Sequence, residues 1–252
     1  MWSKAIWVAP SPDEMLTAAR ELQQHGSLVD DPFWTLLGLI QECTVYMIQS
    51  GSRTASDERT AAHITRIREV LQLADKSGVP SLASHISTAL GGILRHTAPD
   101  EALIHLKRAL ELAVAVDAET STSSARFQLA ALHTQMHRPI DALTVLEPTL
   151  ERHLRSGAGR WLLSAAAYCI RPLLETDHAE LAAVVLGAVV GELDAHPRTR
   201  RATVYVDQTS LLRDLSTRLG AVAAERLLDG GRRRSLEDVA RQLVHAIREL
   251  SR

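Results

Sequence analysis

Apolar residues along this chain recur at steps of three and four and almost nowhere at steps of two. Ile64, Ile67, Leu71 and Ala74 trace one such stripe, and Leu103, Leu106, Leu110 and Ala113 another; this spacing puts every member on one side of a helix. Start and stop signals divide the pattern into helices with little between them. Ser11-Pro12 with Glu14 three places on opens a first helix toward His25-Gly26, a capping box with proline at the first helical position. Asp31-Pro32 opens a second, ending near Ser50-Gly51, and Ser56-Asp57-Glu58 a third, stopping at Ser77-Gly78-Val79-Pro80. A fourth runs from about Ser81 to Arg95, and Thr97-Ala98-Pro99-Asp100 caps a fifth. Further helices are predicted near Thr120 to Met136, Pro139 to Arg155, Arg160 to Leu174 and Asp177 to Ala195, the last with Asp177 and Glu180 as its capping box. Pro148 and Pro172 are expected to kink or shorten the helices that hold them. After a basic loop, His196-Pro197-Arg198-Thr199-Arg200-Arg201, come helices near Asp207 to Leu219 and Ala221 to Leu228, a turn at Gly230-Gly231, and a last helix launched by Ser235-Leu236-Glu237-Asp238. Ala202 to Val206 is the nearest approach to a strand and is too short for a sheet. The pattern predicts an all-α chain.

Composition supports that reading. Leu and Ala are abundant, Gly (13) and Pro (9) are few, and aromatics make up 4% of 252 residues, a balance that favours helix over a β-sandwich or barrel. A net charge of −2 supplies no field for nucleic acid or an anionic membrane. Cys43 and Cys169 stand alone, without the spacing of a zinc site or disulfide scaffold, so a reducing cytoplasm is the expected setting. The first ten residues lack the extended apolar region of a signal peptide. The most apolar run, Ala179 to Val190, falls short of the roughly 20 residues that cross a bilayer.

Internal spacing carries the argument from class to architecture. Ala62, Ala102, Ala142 and Ala182 stand 40 residues apart, each near the start of the second helix of a pair. Leu103, Leu106 and Leu110 match Leu143, Leu146 and Leu150 at identical offsets, and Leu186 answers Leu106 and Leu146. A small residue lets two helices approach, and the leucines fill the groove behind it. A period of about 40 residues with two helices per unit predicts an α-solenoid of antiparallel helix pairs. The expected organisation is an array over 1–197 with a divergent helical cap over 198–252.

Thr88-Ala89-Leu90-Gly91-Gly92-Ile93-Leu94, Asp100-Glu101-Ala102-Leu103 and Arg108-Ala109-Leu110-Glu111-Leu112-Ala113 resemble a tetratricopeptide-type unit, Ala102 and Ala109 keeping the seven-residue step between its two small positions. Later units drift, with Thr149 and Val189 at the second small position. Such long, degenerate units are similar to the helical carboxy-terminal regions of LuxR-type and adenylate-cyclase-linked STAND regulators. Arg218 to Ala224, Gly230-Gly231 and Arg234 to Ala240 resemble the ending that follows those arrays. The resemblance implies a sensor or protein-interaction module coupled to transcription or cyclic-nucleotide signalling.

No catalytic motif accompanies it. Gly91-Gly92 and Gly230-Gly231 lack the strand, lysine and Ser/Thr of a phosphate loop, so no nucleotide cofactor is expected. Arg232, Arg233 and Arg234 read as a solvated turn rather than a nucleic-acid contact. His133 and His137 stand one helical turn apart without a third metal ligand. Acid pairs such as Asp57-Glu58 and Asp100-Glu101 sit in first turns, where the helix dipole favours them. The expectation is a non-enzymatic module without cofactor, metal or membrane contact that binds a protein segment or small effector; a scaffold or oligomerisation domain and a degenerate enzyme fragment are the alternatives. Projecting tetratricopeptide groove positions back from Ala102, Ala142 and Ala182 selects Ser84, Ser87, Gly91 and Arg95, then Ser124, Phe127 and Gln135, then Ser164, Arg171 and Glu175 as the candidate concave face. Two arginines among small polar residues suit an acidic peptide or carboxylate.

Overall fold

The computed structural model describes residues 12–50, 58–196 and 208–252. Among them every regular element is a helix and no strand occurs. The helices are α1 Pro12–Leu28, α2 Pro32–Ser50, α3 Glu58–Lys76, α4 Pro80–Leu94, α5 Pro99–Ala115, α6 Glu119–Gln135, α7 Pro139–Ser156, α8 Gly159–Glu175, α9 Ala179–Ala195, α10 Gln208–Leu219, α11 Ala221–Arg232 and α12 Leu236–Leu250. The Ser11 and Ser56-Asp57 starts, the Arg198-Arg200-Arg201 loop and the Ala202 to Val206 run lie outside the described residues. None of the described helices is long and apolar enough to cross a membrane.

The chain divides into two compact units, Met1–Gln128 and Leu129–Arg252, with the boundary inside α6. In the first unit α1 pairs with α2, α2 packs on α3 and α4, and α4 packs on α3 and α5. In the second, α7, α8 and α9 pack in sequence, α11 lies along α9, α10 joins α9 and α11, and α12 rests on α7, α8 and α9. Residues 208–252 therefore belong with α7 to α9 in one unit.

A repeat is visible in burial and in turns. Helix α5 buries Ala102, Leu106, Ala109 and Ala113; α7 buries Ala142, Leu146, Thr149 and His153; α9 buries Ala182, Leu186, Val189 and Leu193. These quartets coincide at shifts of 40. The turns that follow α3, α5 and α7 hold left-handed residues at Gly78, Asp117 and Gly157, and those that follow α6 and α8 hold His137 and Asp177. Ala62 breaks the series: it is exposed, and α3 buries Ile67, Val70 and Ala74 instead. That puts His63 in register with Ala102 and makes the first interval 39.

Several sequence signals act differently from expectation. Asp177 does not cap α9; its φ of 60° places it in the left-handed turn, and His178 occupies the N-cap without a side-chain bond to the first turn of the helix. Ser235 does cap α12, its hydroxyl accepting the Asp238 N–H at 3.1 Å, and Asp31 accepts the Phe33 N–H at 2.9 Å. Helices α7 and α8 run on through Pro148 and Pro172; Pro148 stands on an exposed position, where water can satisfy the carbonyl left without its donor. Gly230-Gly231 makes no turn. It continues α11, because Gly231 is where that helix meets α9: a Cβ on Gly231 would lie 2.2 Å from Val184 O, and one on Gly187 2.1 Å from Leu228 O. Gly26 likewise lies inside α1, where a Cβ would sit 2.5 Å from the Thr35 N of α2.

Candidate functional site

Helix α8 is buried nearly all round, by Leu162, Leu163, Ala165, Ala166, Cys169, Ile170, Leu173 and Leu174 among others. Its partly accessible residues fall on one stripe: Trp161, Tyr168, Arg171 and Glu175 are half-buried, with Ser164 at 6% exposure in line between the two rings. The positions i, i+3, i+7, i+10 and i+14 keep to one side of a helix. At one end the Arg160 guanidinium lies 5.1 Å from the Trp161 ring centroid, a cation–π distance, and the His153 ring is nearly parallel to the indole at 6.2 Å. Further along, Arg171 Nη1 is ion-paired with Asp214 of α10, and Nη2 donates to Ser210 Oγ at 3.0 Å. Arg218 of α10 donates to Asp177 Oδ1 at 3.3 Å, which ties the same helix to the turn after α8. Glu175 Oε2 lies 3.9 Å from His137 Nδ1. The stripe thus offers two aromatic faces, a neutralised Arg–Asp pair and a carboxylate. Cys169, on the opposite side, is fully buried, and burial pushes its thiol far above the ordinary range.

Ser164, Arg171 and Glu175 therefore share the stripe that the sequence selected, but Arg171 is not an unopposed cation: Asp214 already balances it. Trp161, Tyr168, Ser210 and Asp214 escaped the sequence reading. The two rings were discoverable, since scarce aromatics seven residues apart on one helix share a face; the α10 residues were not, because more than thirty residues separate them from α8. On α6, Ser124 is half-buried, Phe127 is buried at 6% exposure, and Gln135 is exposed.

Helix α4 departs most from expectation. Ser84 and Ser87 are fully buried: Ser84 Oγ donates to Ala109 O at 2.8 Å, and Ser87 Oγ accepts from Arg108 Nη1 at 3.3 Å. A Cβ on Gly91 would press on Leu106 Cγ at 2.5 Å. All three positions face α5, so no ligand on the open side reaches them. Helices α6 and α8 exit through a left-handed residue, with the N–H of Arg138 and His178 donating to His133 O and Leu173 O, five residues back. Helix α4 exits without one, Ala98 N–H bonding Leu94 O at 2.8 Å. The less buried residues along α4 are Ser81 and His85, with Arg95 just past its end, and α2 packs on this helix as well as α5. Arg95 Nη1 donates to Gln128 Oε1 at 3.4 Å. Burial, helped by the Arg95 charge, lowers the pKa of adjacent His96.

A second polar cluster joins α1, α2 and α3. Glu42, 9% exposed, accepts from Tyr46 Oη and from Gln23 Nε2, the latter at 2.8 Å. The Tyr46 ring stacks on His63 at 3.8 Å and 10°. Burial, followed by the Glu42 hydrogen bond, pushes the phenol up to about 12, so it serves as a donor. His85 meets Thr44 Oγ1 at 3.1 Å, and burial lowers its pKa to about 4, keeping it neutral.

His133 ends on α6 while His137 occupies the left-handed turn, so the two rings do not share a helix face. Among the described residues no group of three or more His, Cys, Asp and Glu side chains converges as a metal site. The chain matches no family model and no curated protein.

Proposed function

We propose that this chain is a non-enzymatic, tetratricopeptide-like helical-repeat module of a bacterial cytoplasmic signalling or transcriptional regulator, and that it binds a short peptide segment along α8. The matching buried quartets of α5, α7 and α9 and the recurring left-handed turns support stacked hairpins as the architecture. The α8 stripe carries the functional reading, because it arranges aromatic faces and balanced polar groups on a helix whose remaining sides are committed to the core. Aromatic anchors and arginine dominate binding energy at such surfaces. The preferred ligand places an apolar side chain over Trp161 and Tyr168 and a backbone or side-chain polar group at the Arg171–Asp214 pair. A strongly acidic ligand is disfavoured, since Asp214 neutralises the arginine it would seek.

The test begins with selection of binders from a random-peptide library on the full chain, followed by calorimetric titration. Truncation of a buried aromatic anchor costs on the order of 1–2 kcal/mol, so Tyr168→Ala is expected to weaken selected peptides about tenfold or more, while Val222→Ser, at an exposed position of α11, leaves them unchanged. A library that yields no binder, or binders indifferent to Tyr168, would defeat the proposal.

A further inference from the structure

The side of α5 turned away from α4 carries Ile104, Lys107, Glu111 and Val114 at i, i+3, i+7 and i+10, the spacing of a seam between two helices. Ile104 is 67% exposed and Val114 55%; Leu103 and Leu110 beside them are half-buried, and Lys107 and Glu111 are exposed. Two other charges on this helix are engaged with α3: Glu101 accepts from Arg68 at 2.7 Å and Arg108 donates to Asp75 at 2.5 Å. Among the described residues Lys107 and Glu111 form no ion pair.

The equivalent stripe of α7, forty residues on, already receives a helix. Thr144, in the place of Ile104, meets Ser251 Oγ at 3.1 Å. Glu147 and Glu151, in the places of Lys107 and Glu111, both accept from Arg248, which donates to Glu147 at 2.6 Å. Ser251 at Thr144 and Arg248 further along at Glu147 and Glu151 mean that α12 runs antiparallel to α7. Leu143 and Leu150 are fully buried where Leu103 and Leu110 are not. The corresponding stripe of α9, with Val184, Gly187 and Gly191, is likewise covered, by α11, so the versions on α7 and α9 are occupied and the one on α5 is open.

We propose that the open stripe receives α5 of a second copy of this chain, antiparallel about a two-fold axis level with Ala109. Position 109 lies midway between Lys107 and Glu111 and also midway between Ile104 and Val114. A two-fold axis there sets Lys107 against the second copy's Glu111, and Ile104 against its Val114, each pairing occurring twice. Such self-complementarity is what an isologous contact requires. Helix α12 of a second copy fits less well, since its Arg248 would face Lys107. A single helix pair buries less than the roughly 800 Å² per partner of a stable interface, so the dimer is weak, salt-sensitive and populated at high concentration.

Sedimentation velocity on the full chain across a concentration series tests this. The parent is expected to shift from monomer toward dimer. Lys107→Glu and Glu111→Lys each create two like-charge contacts, and each is expected to raise the dimer dissociation constant at least tenfold. Mixing the two single variants makes every contact attractive and restores association, as does the doubly exchanged K107E/E111K chain, which also shows that lost association is not misfolding. A parent that stays monomeric throughout, a Lys107→Glu chain that dimerises like the parent, or a mixture that fails to associate would each overturn the proposal.

Discussion

Gly187 and Gly230 lie on partnered helices, and alanine at each has opposite consequences. On Gly187 a Cβ would stand 2.1 Å from Leu228 O, 2.9 Å from its carbonyl carbon and 3.0 Å from Gly231 Cα. All three are backbone atoms, so no side chain can swing aside, and α9 and α11 must separate by about 1 Å to admit the methyl. Overpacking against a rigid wall costs about 3 kcal/mol, the upper part of its usual range. Alanine returns about 1 kcal/mol of helix propensity, leaving a net loss of about 2 kcal/mol. At Gly230 nothing lies within 4 Å of the added atom and φ is not left-handed, so only the propensity gain operates, about 0.5–1 kcal/mol. With a urea dependence of about 2 kcal/mol/M, Gly187→Ala is expected to lower the midpoint of the second unit by about 1 M. Gly230→Ala should raise it by about 0.3–0.5 M. Urea melts of the full chain followed by circular dichroism measure both. A Gly187→Ala protein as stable as its parent, or two variants that shift in the same direction, would refute the account of the α9–α11 contact.

Loss of the Ser235 cap in Ser235→Ala removes the bond to the Asp238 N–H and is expected to cost about 1 kcal/mol, read as a lower melting temperature; Ser235→Asp should retain most of it. His85, with its folded pKa depressed to about 4 by burial, stays neutral in the native state while the unfolded state takes up a proton below about 6.5. Its contribution is therefore present above that value and declines as pH falls from about 6.5 toward 4, and denaturation midpoints of a His85→Gln chain should fall less steeply across that window. Burial raises Cys43 to about 12 and Cys169 further still, so neither thiol should react with a disulfide reagent at pH 8 until the chain is unfolded; prompt labelling of the native protein would contradict their placement.

The helices were legible because each buries a stripe that repeats at the helical period, and Ala102, Ala142 and Ala182 do lie at fully buried contacts. What the sequence concealed is tied to single turns and crossings. Ala62 keeps the 40-residue spacing yet faces water, since the first interval of the burial pattern is one residue shorter. Ser84 and Ser87 kept the expected offset from Ala102, but their hydroxyls are taken up by the Ala109 carbonyl and Arg108 of α5. Gly26, Gly187 and Gly231 resemble punctuation in a linear reading; in three dimensions they are notches where helices touch. Along α8, Ser164, Arg171 and Glu175 lie on one stripe. Arg171's partner remained hidden because Asp214 lies 43 positions away.

The separation of α12 from its seat has a consequence for how the chain is made. The Arg248 contacts with Glu147 and Glu151 span 101 and 97 residues, whereas α4 and α5, or α7 and α8, are neighbours in sequence. At translation rates of about 5–20 residues per second, some 5–20 s pass between synthesis of α7 and arrival of the helix that shields Leu143 and Leu150. During that interval Leu143 and Leu150 lack the cover of α12, and Glu147 and Glu151 lack their Arg248 partner.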